Sequence, residues 1–158
     1  MKKKFIVMEE EKKTVDIGNA RTAEQINVMQ QIIAAGDDPF SWENIAKYHK
    51  REILKKGAFW LVTENQWPYK NSRVQILFIY KENATTISEL PGDAFKELLE
   101  FTQEFSEKYD VLGGGLCMRF GKTEYSGATV LHLHAQLISP EENTQCIFYI
   151  GSQQQKEK

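Results

Sequence analysis

Residues 126–140 read SGATVLHLHAQLISP, and their alternation governs how the rest of the chain is read. On an extended strand successive side chains point to opposite faces. Leu131, Leu133, Ala135 and Leu137 then share an apolar face, and His132, His134 and Gln136 share the other. The polar three stand roughly 7 Å apart at each step. Two of the chain's three histidines are used here. Ahead of them Ser126, Gly127, Ala128 and Thr129 supply two hydroxyls and small side chains, which let an anion approach the main chain. Arg119, on the preceding apolar run, adds a fixed positive charge.

Working outward, Gln145 to Ile150 reads as a last strand and Leu116 to Phe120 as the strand before. Gly121 to Gly127 is too short for a parallel crossover and predicts an antiparallel pair. The strongest helix is Asp93 to Tyr109, with Phe95, Leu98, Leu99, Thr102, Phe105 and Tyr109 as one stripe. Gly113 to Gly115 stops it, and without a following Lys-Ser/Thr these glycines are no phosphate loop. Arg73 to Tyr80 and Ala58 to Thr63 read as strands, with the loop Glu64 to Ser72 between them. A short helix is expected over Trp42 to His49. A longer one covers 22–35, with Thr22 and Gln25 as a capping box and Gly36 as its stop. Phe5 to Met8 is a further short strand candidate. Strands joined by short links and interrupted by one long helix make an α+β fold with an antiparallel sheet.

The chain has 158 residues, enough for one sizeable core. Its 20 Lys plus Arg against 22 Asp plus Glu give a net charge of −2, which argues against bulk electrostatic binding of nucleic acid. No apolar run reaches the roughly 18 residues of a membrane helix. Cys117 and Cys146, far apart in strand-like runs, read as two buried reduced thiols. No signal-peptide core follows the basic start, so a cytoplasmic protein without a membrane partner is expected.

Three chemistries fit the polar face. It is an inert sheet surface, a metal-ligand pair, or a nucleophilic imidazole with helpers. A metal needs a third ligand, for which His49, Glu141 and Glu142 are the candidates. A neutral imidazole attacks phosphorus through one nitrogen when its other N–H is held by an acceptor.

HLHAQLI resembles the signature of the histidine triad (HIT) superfamily, His-φ-His-φ-(His or Gln)-φ-φ, where φ is apolar. WPYKNSRVQILFIYKEN (residues 67–83) resembles the family's nucleotide-side loop and following strand, and the helix from Asp93 falls where the family has its long helix. The likeness spans about Gly57 to Ile150. It implies a HIT-like antiparallel sheet of about five strands with packed helices over 57–150, an N-terminal extension over 1–56 and a polar tail over 151–158. It further implies a nucleotide hydrolase or nucleotidyltransferase that attacks the α-phosphorus of a nucleotide derivative, through a nucleotidyl-histidine intermediate. His134 matches the family nucleophile, His132 its supporting histidine and Gln136 the third position. Ser126, Gly127, Thr129 and Arg119 fall near phosphate contacts, and Asn65 and Trp67 in the loop lining the ribose and base. The partners implied are a nucleotide or its derivative and a second copy of the chain; no cofactor is implied.

Departures qualify this reading. Gln136 cannot deliver a proton to a leaving group, and glutamine there resembles the transferase and phosphorylase branch. Gln75 and Asn83 stand where many relatives carry histidine. A non-catalytic nucleotide-binding protein is therefore the alternative, ahead of an H-x-H metal enzyme. Asp38 and Ser41, in DPFSW, replace a Cys pair that holds zinc in some relatives. A structural zinc is not expected, and His49 reads as a surface helix residue.

Overall fold

The computed structural model describes residues 12–152. The strand expected at Phe5 to Met8 lies outside them. Five strands form one antiparallel sheet: β1 (Ile53–Lys56), β2 (Trp60–Glu64), β3 (Ser72–Tyr80), β4 (Gly115–Arg119) and β5 (His134–Pro140). Their order is β1-β2-β3-β5-β4, so β5 lies inside the sheet and β4 at an edge. Four helices accompany them: α1 (Ala23–Ala35), α2 (Ile45–Tyr48), α3 (Gly92–Lys108) and the single turn α4 (Thr123–Ser126). The α+β class and the antiparallel β4–β5 pair agree with the sequence reading.

Period-2 alternation sorts the sheet into two faces. Trp60, Val62, Ile76, Phe78, Leu133, Ala135 and Leu137 pack with α3 in the main core. Leu61, Leu77 and Ile79 point the other way, onto Ile45, Phe40 and Trp42 of the N-terminal segment. A third cluster joins Met29 and Ile32 of α1 to Val15 and Val130. The sheet thus carries α3 on one side and the N-terminal segment on the other, with β1 beginning ahead of Gly57.

The buried stripe of α3 is Ala94, Leu98, Phe101 and Phe105. It keeps Leu98 and Phe105 of the expected stripe but takes Ala94 and Phe101 in place of Phe95 and Leu99. Phe95 and Leu99 are exposed as a result, at 40% and 56%. Two anchors fix this face of the helix. Trp60 Nε1 donates to the Ala94 carbonyl at 2.7 Å. The Glu97 carboxylate accepts from the amides of Ala58, Phe59 and Trp60 at 2.8–2.9 Å.

Thr22 caps α1, its hydroxyl accepting from Gln25 N, and Gly36 closes the helix in the left-handed region (φ +68°). The other half of the box is displaced: Gln25 Oε1 accepts from Arg21 N rather than from Thr22 N.

Four further expectations are corrected. The strand expected from Ala128 starts only at His134, because 128–131 is bonded to the N-terminal segment instead of the sheet. Asp16 N donates to Thr129 O, and Leu131 N to Thr14 O. Leu131 accordingly stays half-buried outside the main core. Residues 145–150 form no strand. Both edges of β5 are occupied, and this segment is instead held across the sheet by Asn71 Nδ2 on Gln145 O and Arg119 Nε on Tyr149 O. Cys117 and Cys146 are free thiols but half-buried, since each lies beside solvent-accessible chain. His49 caps the C-terminus of α2 and turns inward, half-buried, where its Nε2 donates to Thr63 Oγ1 at 2.8 Å.

Among the described residues no helix is long and apolar enough to cross a membrane.

Candidate functional site

On the sheet face away from α3, a cavity of about 600 Å³ opens between β3, β5, β4 and the N-terminal segment. This lies within the usual range for small-molecule sites. His134 and Gln136 of β5 reach it, with Leu77 of β3 and Arg119 of β4 beside them. Arg119 and His134 are cross-strand partners, so their side chains leave the sheet on the same side. Phe40 closes one flank, its ring edge-on to His134 with centroids 5.0 Å apart.

His134 is half-buried and donates Nδ1–H to the carbonyl oxygen of His132 at 2.8 Å. Burial pushes its pKa down to about 4, with the neighbouring His132 and Arg119 charges adding to the effect and the backbone bond opposing it. The imidazole is therefore neutral near pH 7, its proton on Nδ1 and its lone pair on Nε2. Nε2 has no hydrogen-bond partner among the described residues.

His132 does not reach the cavity. Its Nδ1 lies 2.6 Å from Asp38 Oδ2 and its Nε2 2.6 Å from the Tyr80 carbonyl oxygen. A carbonyl oxygen only accepts, so Nε2–H donates to Tyr80 O, and Asp38 engages the other ring nitrogen. Engaged at both nitrogens, His132 has no lone pair for a metal, and the H-x-H pair does not converge on one point. Asp38 and Ser41 are occupied too: the Ser41 hydroxyl accepts from Asn44 N.

The orientation of Gln136 follows from a chain of amides. Tyr69 N can only donate, so Gln75 must turn its oxygen toward it (2.7 Å). Gln75 then donates Nε2–H to Gln136 Oε1 at 2.6 Å. The NH₂ group of Gln136 is left as the end presented to the cavity. Burial of both glutamines makes this polarity costly to reverse.

The remaining residues singled out from sequence divide. Gly127, Thr129, Asn65 and Trp67 line the cavity. Gly127, at φ +72°, also lets the C-terminal segment approach: a Cβ there would stand 2.2 Å from Gly151 O. Ser126 is buried away from the cavity, with its hydroxyl accepting from Ala128 N. Asn65 Oδ1 accepts from Trp67 N and sets that loop's turn. The indole N–H of Trp67 and the amide nitrogen of Gln66 are buried without partners among the described residues.

Sequence reasoning missed Arg21, Tyr69, Phe40 and the inward turn of His49. Arg21 looked like an ordinary charged residue before a helix cap. Only the folded chain sets its guanidinium 4.2 Å from the Tyr69 ring centroid, with Nη2 donating to Trp67 O.

No protein-family model matches the sequence, and no curated protein is similar to it. Solved structures do match in shape. A HIT family hydrolase from Clostridium thermocellum is 19% identical, over 66% of this chain and 91% of its own, at a TM-score of 0.53. A histidine triad nucleotide-binding protein from Candida albicans is 16% identical, over 72% and 82%, at 0.54. A Zn-bound histidine triad family protein from Mycobacterium smegmatis is 13% identical, over 70% and 79%, at 0.52. The fold is that of the histidine triad proteins.

Proposed function

We propose that this chain is a histidine triad enzyme, a nucleotide hydrolase or nucleotidyltransferase working at an α-phosphorus through a nucleotidyl-His134 intermediate. The observation that carries the reading is the state of His134. It is a neutral imidazole, fixed by Nδ1–H on the His132 carbonyl, with its other nitrogen unbonded beside the amide donor of Gln136. Such an imidazole is a nucleophile that needs no prior deprotonation. In this reading Nε2 attacks phosphorus, while Gln136 Nε2–H and Arg119 hold the non-bridging oxygens as charge builds on them. Gly127, Thr129, Asn65 and Trp67 hold the nucleoside and its phosphate, and Ser126 supports the turn that carries them. Relatives named a hydrolase and a nucleotide-binding protein lend the reading its substrate class.

A second copy is proposed to pair along the free edge of β4, where Leu112, Leu116 and Phe120 are exposed. Two unpaired thiols suit a reducing compartment such as the cytoplasm.

The test is intact-protein mass spectrometry after mixing with dinucleoside polyphosphates, nucleotide sugars and nucleoside phosphoramidates. A nucleotidyl adduct is expected on the wild type and absent from His134→Ala. No adduct and no turnover by either protein overturns catalysis. Nucleotide binding without turnover would establish the second reading, a non-catalytic binder, which the lack of a proton donor at Gln136 favours.

A further inference from the structure

In the nucleotidyl-His134 reading only one neutral tautomer of that ring can attack. The lone pair must be on Nε2, and the proton therefore on Nδ1. One bond selects this tautomer, from Nδ1–H to the His132 carbonyl oxygen. The orientation of the His132 peptide thus governs the reactive nitrogen. Yet His132 lies ahead of β5, whose first paired residue is His134. Leu131 N and Leu133 N fasten the chain on either side, to Thr14 O and Ala84 O. The His132 side chain supplies a further hold.

That ring is buried, and its two nitrogens meet different parts of the fold. Nε2 donates to the Tyr80 carbonyl at the end of β3, and Nδ1 meets Asp38 Oδ2. The other oxygen of the same carboxylate has a separate partner. Asp38 Oδ1 accepts from Phe40 N at 3.0 Å, and the Phe40 ring is the one that stands edge-on to His134. One carboxylate therefore reaches two groups that meet the His134 ring. They are the peptide that accepts its proton and the aromatic edge that closes its flank. Asp38 is itself fixed in the turn, where its carbonyl oxygen accepts from Asn44 Nδ2 at 3.2 Å and from Ser41 N at 3.3 Å.

We propose that Asp38 is a positioning residue for the His134 reaction. Its carboxylate holds the His132 peptide and the Phe40 ring, so that the His134 lone pair stays on Nε2 and faces the cavity. The inference rests on the nucleotidyl-His134 reading and adds to it a residue outside the cavity lining. The contribution is one of placement rather than of charge, because an amide in the same position makes both bonds. In Asp38→Asn the new N–H donates to His132 Nδ1 while Nε2–H stays on Tyr80 O, and the amide oxygen accepts from Phe40 N.

Two measurements test this on the full chain. Long-range proton–nitrogen NMR of the imidazole rings reads the tautomer, and mass spectrometry reads the rate of nucleotidyl adduct formation. Wild-type His134 is expected in the Nδ1–H form alone. Asp38→Ala should show both neutral tautomers and form the adduct more slowly by roughly tenfold to a hundredfold, the scale set by a small misplacement of a reacting group. Asp38→Asn should restore the single tautomer and most of the rate. Should Asp38→Ala fail to fold, Asp38→Ser carries the test, because its hydroxyl still accepts from Phe40 N but is too short to reach His132.

An unchanged tautomer or an unchanged rate in the folded variant overturns the positioning role and leaves the nucleotidyl reading standing. The pair would then only fasten the N-terminal segment. Asp38→Asn as slow as Asp38→Ala also overturns it, since charge rather than placement would be what Asp38 supplies. A wild type that forms no adduct overturns the nucleotidyl reading, and the part of Asp38 in the reaction with it.

Discussion

Asp38 Oδ2 lies 2.6 Å from His132 Nδ1, joining a turn of the N-terminal segment to the residue whose carbonyl orients the His134 ring. The His132 side chain is 1% exposed and that of Asp38 12%. Asp38→Ala leaves a buried ring nitrogen without its partner, at a cost of about 2–4 kcal/mol. Urea unfolding of the variant should show it as a lower midpoint. A midpoint unchanged from wild type would mean that the pair does not hold the segment down.

The pKa of His134, pushed down to about 4, carries a signature in pH. The rate of nucleotidylation should stay level as pH falls through the usual histidine range near 6.5 and drop only near 4. Stability follows the same group. Unfolded, His134 binds a proton below about 6.5, whereas folded it does so only near 4, so the unfolded state holds more protons between these values. The contribution of His134 is complete above about 6.5 and is lost progressively as pH falls toward 4. Urea titrations at pH 7 and pH 5 should differ less in His134→Asn than in the wild type.

Gln75 positions Gln136 through a bond that only an amide of this polarity makes. Gln75→Glu keeps the acceptor for Tyr69 N but removes the donor to Gln136. Gln136 must then reverse and turn its oxygen toward the cavity. Nucleotidylation is expected to fall by about tenfold or more, since one donor is lost and an acceptor faces the phosphate. Gln75→Met, which leaves Gln136 free to choose, should fall less. Equal losses in the two variants would reduce Gln75 to packing.

Gly127 stands at φ +72° with Gly151 O against it. Gly127→Ala is expected to cost about 1–2 kcal/mol from the left-handed backbone alone, with a further loss as the added carbon displaces 145–151. Gln145, Ile147, Tyr149 and Gly151 wall the cavity, so nucleotide affinity should weaken along with thermal stability. A variant as stable as the wild type and binding equally well would show that this segment moves aside freely.

Much of the fold was legible because its signals are local. Antiparallel links, the cap at Thr22 and the stop at Gly36 follow from a few adjacent residues. The α3 stripe is ambiguous in the sequence because Phe95 and Phe101 are equally apolar. Which of them faces the sheet is decided by Trp60 and Glu97, whose partners lie 34–39 residues away in the chain. The strand expected at 145–150 had the right composition but no free edge of β5 to join.

The sequence by itself determined which side chains share the cavity face of β5. Alternation along a strand places His134 and Gln136 on one face whatever surrounds them, because the period of an extended chain is a property of its backbone. Tertiary structure decided what those residues are able to do. The partners that set their protonation, polarity and charge lie far away in sequence: Asp38 is 94 residues from His132, and Gln75 is 61 from Gln136. Arg21 meets the loop at Trp67 across 46 residues. Such contacts form only when the chain closes on itself, and no local pattern of residue types encodes which distant donor meets which acceptor.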